Sequence, residues 1–191
     1  LINDFDRDVK NVNAGMDIFD EALDKVNCKE KYFCEGNHEN WLNLMVDEHP
    51  YIPQYRVKTA LKLDERGYEY YPMGKYLEVG KMTFYHGHHY GGKYHTAAHL
   101  RELSCNIMYG HWHDLQQMSA IKKDGAIGAW SIGCLKDMSH EANEWLGRRK
   151  TRWSHAFAII DFYDEGRFTV DVVQIIEGKA TVWGQLIDGN K

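Results

Sequence analysis

Apolar residues in the stretch 14–26 fall at Ile18, Phe19, Ala22, Leu23 and Val26, with acids between them. That spacing predicts an amphipathic helix. Residues 29–34 then read as a short strand feeding Gly36. A second helix is expected over 39–45, ended by Pro50 and Pro53. A third helical segment over 57–66 is stopped by Gly67. Stretches 68–71 and 76–79 predict short strands separated by Met73-Gly74. Gly80-Lys81 turns the chain into a further strand at 82–85. Gly91-Gly92 marks a loop, 96–103 a helix and 106–109 a strand. Stretches 115–120 and 126–132 predict strands around the turn Lys123-Asp124-Gly125. Stretches 156–163, 168–176 and 180–182 continue as an antiparallel run. Residues 1–13 are polar, with Asp4, Asp6 and Asp8 alternating, and read as a solvated loop. They lack the glycine and distal glutamate of an EF-hand loop. Helix and strand mix early and strands dominate late. The expected class is α/β: two sheets packed face to face with helices outside.

Composition narrows the function. The 191 residues are 43% hydrophobic and 27% charged, as in a soluble globular protein, and one domain spanning 1–191 is expected. A net charge of −5 excludes a globally basic, duplex-binding surface. No apolar run approaches membrane-spanning length, so no membrane partner is expected. The four cysteines, Cys28, Cys34, Cys105 and Cys134, show no Cys-x-x-Cys spacing. They read as buried, reduced thiols of a cytoplasmic protein.

Three short pieces carry chemistry. Gly36-Asn37-His38-Glu39, Tyr85-His86-Gly87-His88 and Gly110-His111-Trp112-His113 each follow a strand-like run. Each is therefore a loop at a strand's end, where α/β sheets commonly build sites. Imidazoles suit Zn, Fe, Ni or Mn, and an Asn oxygen suits harder ions.

In this order and spacing, the three pieces resemble motifs of the calcineurin-like metallophosphoesterases. That family carries Asp-x-His, Gly-Asp-x-x-Asp, Gly-Asn-His-Asp/Glu, a lone His often followed by Gly, and Gly-His-x-His. The last three are present, and the resemblance runs roughly over residues 17–135. The first two do not occur before Gly36. The resemblance thus implies an N-terminally truncated domain of a four-layer αββα fold, lacking its first strands. It implies hydrolysis of phosphate mono- or diesters at two divalent metal ions, which activate a nucleophile and neutralise charge. Asn37, His86 and His111 would hold one ion. His113 would bind the other, with the absent motifs supplying its remaining ligands. His38 would act as acid to the leaving oxygen, and Glu39 would orient neighbouring groups. As given, the chain would bind metal weakly and turn over little. Small stand-alone enzymes of bacteria and phages are the nearest kind implied. The alternative is a non-catalytic metal-binding or scaffold module that keeps the fold.

Other histidines carry less. His88 and His89 are placed to contact substrate near the metals or to fill a polar loop. His95 and His99, four apart, read as a solvated helix face, since no Glu lies in the zinc-motif position between them. The segment 145–153 sets Arg148, Arg149, Lys150 and Arg152 between Trp145 and Trp153. Arginine near aromatics suits phosphates and stacked bases. This makes Arg148 and Arg149 candidate contacts to a phosphate-ester substrate, a nucleotide or nucleic acid among them. The opposing reading is a solvated loop anchored by its tryptophans.

Overall fold

A computed structural model of the chain describes residues 2–190 and is mixed α/β. It divides into two compact units, Leu1–Lys75 and Tyr76–Lys191. No helix among the described residues is long and apolar enough to cross a membrane.

The first unit holds α1 (Ile2–Lys25), β1 (Lys31–Cys34), α2 (Asn37–Glu48), a single turn α3 (Val57–Ala60) and β2 (Tyr68–Tyr71). β1 and β2 pair in parallel, Lys31 opposite Tyr68 and Cys34 opposite Tyr71. Residues 1–13 were expected as a loop, but the described part is the first half of α1. Phe5, Val9, Asn13, Met16, Asp20 and Leu23 are its less exposed positions, at helical spacing. Tertiary contacts hold this half in place. The Phe5 ring lies 5.7 Å from that of Tyr55, the Tyr55 hydroxyl donates to Asp6 at 2.6 Å, and Asn13 donates to the carbonyl of Ala60 at 2.8 Å.

The face that α1 buries also differs from the expected one. Ile18, Phe19 and Val26 are exposed. The helix is rotated so that Asn13, Asp17 and Asp20 meet Arg66, which reaches Asp17 and Asp20 at 2.6 Å each and Asn13 at 3.0 Å. Lys31 and the Tyr68 hydroxyl complete the shell of Asp20 at 3.1 and 3.0 Å. A buried guanidinium needs such partners, and its position on the strand side fixes the helix face. The segment expected as helix over 57–66 is helical only to Ala60; Lys62 takes a positive φ of 55°. Val57, Leu61 and Leu63 from this stretch pack with Met16, Phe33, Leu42, Tyr68 and Tyr70.

The second unit is built on a five-stranded sheet in the order β3-β4-β5-β7-β6. Its strands are β3 (Leu77–Val79), β4 (Met82–Phe84), β5 (Ile107–Tyr109), β6 (Leu115–Lys122) and β7 (Gly125–Ile132). β4, β5 and β7 run parallel, so their C-terminal ends share one edge. Alternation sorts the strand residues between two cores. Ile107, Tyr109 and Ala129 pack with Leu100 of α4 (His95–Leu103). Met82, Met108 and Trp130 pack with Ala158, Ile160, Phe168, Val170 and Val172 of the hairpin β8 (Ala156–Tyr163) and β9 (Arg167–Gln174). Helix, sheet and hairpin are thus three stacked layers. β10 (Lys179–Val182) and β11 (Gln185–Asp188) form a separate hairpin.

Two turns in this unit meet through glycines. The Gly166 carbonyl accepts the Lys81 N–H at 2.9 Å. A Cβ on Gly80 would lie 2.8 Å from that oxygen. All four cysteines are free; Cys28 is exposed and the others half-buried, so the expected burial is incomplete.

Partial burial works against ionised Asp20, yet hydrogen bonds from Arg66, Lys31 and Tyr68 hold its carboxyl below the ordinary value. A depressed carboxyl stabilises the fold above the unfolded-chain pKa of about 3.9, and that stability fades as pH falls through the folded value. Asp20→Asn is therefore expected to lower stability at pH 7, with the gap to the unaltered chain narrower at a pH below the unfolded-chain value of about 3.9. Urea unfolding at both pH values checks this, and a gap just as wide in acid contradicts it.

Candidate functional site

The first unit supplies one of the three chemistry-bearing pieces. Gly36 caps α2, so Asn37 and His38 occupy its first turn, where the helix dipole gives a partial positive charge. His38 is exposed and stacks on Trp41, with centroids 4.8 Å apart and planes 18° from parallel. The turn is braced from below by Glu35, 3% exposed, a residue the motif reading passed over. Its carboxylate accepts from Asn43 of α2 and from the backbone N–H of Met73, both at 2.6 Å. Asn43 in turn accepts the N–H of Val57 at 3.0 Å.

The second unit supplies the other two pieces. β4 and β5 are parallel neighbours, so the loops after them lie side by side. The carbonyl of His86 accepts the N–H groups of Gly110 and His111 at 3.3 and 2.9 Å. The His86 Nε2 and His111 Nδ1 atoms are 2.8 Å apart, and the two rings stand nearly edge to face. Gly87 permits this approach. Its φ is +106°, and a Cβ there would come within 2.6 Å of the Tyr109 ring. The next turn is tight: the His113 N–H donates to Gly110 O at 3.0 Å, and His113 adopts a positive φ of 59°. His113 O accepts the N–H of Ser154 at 2.7 Å, and its ring meets Trp153 edge-on at 5.1 Å.

Beneath these loops lies a buried polar network. His95 and His99, expected on a solvated face, are 1% and 0% exposed. The reason is that the neighbouring strands bring polar groups that need partners. His95 Nε2 donates to Asp114 at 3.0 Å, and its Nδ1 accepts from the Tyr109 hydroxyl at 2.7 Å. Ser131 and Gln116 also donate to Asp114, at 2.9 and 2.7 Å. His99 donates from Nδ1 to His95 O at 2.7 Å and accepts the Tyr85 hydroxyl proton at Nε2. Burial pushes both tyrosines well above their ordinary values, so each keeps the proton it donates. Burial pushes His99 down to about 4, so it is neutral near pH 7.

The positions held are informative. Tyr85 precedes His86, Tyr109 lies two before His111, and Asp114 follows His113. One helix face thus fixes the roots of both histidine loops. The signal was present in the sequence as tyrosines and an aspartate flanking the motifs, with two histidines four apart on the intervening helix.

Of the expected site residues, His86 and His111 are in direct contact, and His113 is on the same short loop. Asn37 and His38 belong to the first unit. His88 sits near His86, with ring centroids 6.0 Å apart. Its Nδ1 is buried without a hydrogen-bond partner among the described residues. Burial first, and then the charge of His89, lowers its pKa. Arg148 and Arg149 are exposed on the loop that carries Trp153.

Two nitrogens on one ion at 2.0–2.1 Å each stand roughly 3 Å apart. The His86–His111 spacing therefore fits a shared divalent ion after a small opening. Among the described residues no group of three His, Cys, Asp or Glu side chains is gathered as a ready metal cage. No family model, curated protein or solved structure matches this chain.

Two outcomes are expected. A histidine whose folded pKa is depressed gives stability that is complete above the unfolded pKa of about 6.5. It is lost as pH falls from there to the folded value of about 4. His99→Gln should flatten this limb of the pH–stability curve, read by urea unfolding between pH 7 and 4. Gly87→Ala should destabilise by about 2–3 kcal/mol, because a strained φ and a ring clash coincide. Loss of well under ~1 kcal/mol would show that the loop has room to shift.

Proposed function

We propose that this chain is the catalytic domain of a metal-dependent phosphoesterase resembling the calcineurin-like enzymes, acting on phosphate mono- or diesters. The observation that carries the reading is the pair His86 and His111. They sit on adjacent parallel strand ends, with facing nitrogens 2.8 Å apart. The helix–sheet–hairpin layering of the second unit is compatible with the αββα arrangement of that family. A cytoplasmic site of action belongs to this reading and is supported by four free thiols.

In this proposal His86 and His111 hold one divalent ion and His113 contributes to a second, the metals being Mn, Fe, Zn or Ni; Asn37 is the further ligand that the resemblance implies. When bound, the ions supply Lewis acidity toward the phosphoryl group. The chain's own groups do the rest. His38, exposed at the positive end of α2, gives a proton to the departing oxygen. The α2 N-terminus favours the anionic ester. His88, with an unpartnered buried nitrogen, and Arg148 and Arg149 bind the phosphate.

The test is hydrolysis of nitrophenyl phosphate monoesters and diesters with added manganese. His38→Ala should lower turnover by about 10²–10⁴-fold while metal content stays, since an acid is lost and the ligands remain. His111→Ala should lose metal and turnover together. Activity that survives chelation contradicts the proposal. Metal binding without turnover on any ester would favour the scaffold alternative.

A further inference from the structure

The loop between β7 and β8 is the most strongly charged feature that the metal reading leaves largely unused. Its two stems are tied together: Cys134 N–H donates to Ser154 O, and Ala156 N–H to Cys134 O, each at 3.0 Å. The same stem is tied to the histidine loop by the 2.7 Å bond from Ser154 to His113. Between the stems run a short 3-10 turn, Glu141–Leu146, and then the irregular stretch 148–152.

The side chains of this loop form a set. Trp145 is 59% exposed, and its ring lies 6.0 Å from that of Trp153. The Lys136 ammonium lies 5.9 and 5.5 Å from the two rings, and the Arg149 guanidinium 5.5 Å from Trp145. Arg148, Lys150 and Arg152 are exposed. Among the described residues none of these five cations is in an ion pair, although the chain as a whole is acidic at −5. The loop also carries Asp137, Glu141 and Glu144, which its five cations outnumber, and a polyanion complements that excess.

The cationic set continues into a groove. Arg152 and Ser154 line one side of a cleft of about 870 Å³, whose other walls include Lys93, Tyr94, Gln116 and Gln117. Tyr94 is 68% exposed, and the Lys93 ammonium is 5.1 Å from its ring. Aromatic rings paired with cations are thus found both on the loop, at Trp145, and in the groove, at Tyr94.

We propose that the groove and the Trp145–Trp153 loop bind single-stranded nucleic acid. Exposed aromatic faces have no use on a duplex, whose bases are already stacked, but each accepts an unpaired base. Five cations spread over a loop and a groove exceed what one phosphate group requires and match a run of phosphodiesters. Gln117, exposed in the groove, adds a donor and an acceptor that tolerate any base. As a substrate class this rests on the phosphoesterase reading, because the bond from Ser154 to His113 joins the track to the proposed metal loop. As a binding surface it stands on its own geometry.

The experiment is fluorescence anisotropy of a labelled oligothymidylate of roughly 15 nucleotides, a length within the usual single-strand site range. It uses the whole chain with EDTA present, so turnover plays no part. Saturable binding is expected, weakening with salt at about 0.7 log unit per neutralised phosphate. Trp145→Leu should weaken binding roughly 10-fold, the loss of one stacked base. Arg148→Gln with Arg149→Gln should lower the salt slope by about 1.4. Trp183→Leu, at an exposed position on the separate hairpin, should change nothing. Unaltered affinity in Trp145→Leu overturns the proposal, as does equal competition by polyglutamate, which would mean that the surface reads charge alone. Binding without any ester hydrolysis would leave this surface standing and end the phosphoesterase reading. Hydrolysis of nitrophenyl esters without oligonucleotide binding would do the reverse.

Discussion

The second unit depends on a buried set of hydrogen bonds between α4 and the strand ends beneath it. Two phenolic hydroxyls and one carboxylate are buried there, and each would cost about 1–3 kcal/mol or more if left without a partner. His95 and His99 satisfy all three. An apolar helix would pack against the sheet equally well but would strand those groups. The network therefore specifies a position as well as an affinity: α4 fits only where its two rings meet Tyr85, Tyr109 and Asp114. Since those residues are the roots of the histidine loops, the loops inherit that position.

The sequence made the strand ends legible because a short apolar run followed by Gly and His leaves little other structure possible. β4, β5, β7 and the β8–β9 hairpin lie close to where alternation puts them. Misreadings came where polar residues face inward. Asp20 and Asn13 look like solvent positions on α1, and Arg66 lies about 50 residues away, so no local pattern reveals that they meet. His95 and His99 were misread for the same reason, since their partners are on other elements. The five motif residues are legible as chemistry, but the contact between His86 and His111 follows from parallel pairing of β4 and β5, which spacing alone does not give.

The ligands proposed here are neutral imidazoles and an amide, and Asp114, the only buried carboxylate of the second unit among the described residues, is committed to His95, Ser131 and Gln116. Charge in this region comes instead from the cationic loop next door. The two features are joined by one backbone hydrogen bond at His113, and the Trp153 ring rests against the His113 ring. With the bond from Gly133 N–H to Asp114 O at 3.0 Å, these ties between the loop and the histidine turn are packing and main-chain contacts.

Hairpin tips are usually where a fold tolerates added residues. The turn before β7 is such a place, because a side chain on Gly125 would meet nothing within 4 Å. The turns at Gly80 and Gly166 are not, since each occupies the space that a side chain on the other would need. A side chain at either position meets the backbone of the other, whatever residue stands there. A peptide tag or a circularly permuted terminus has a natural home at the β6–β7 tip and none at these two turns, although all three look alike as glycine turns in the sequence.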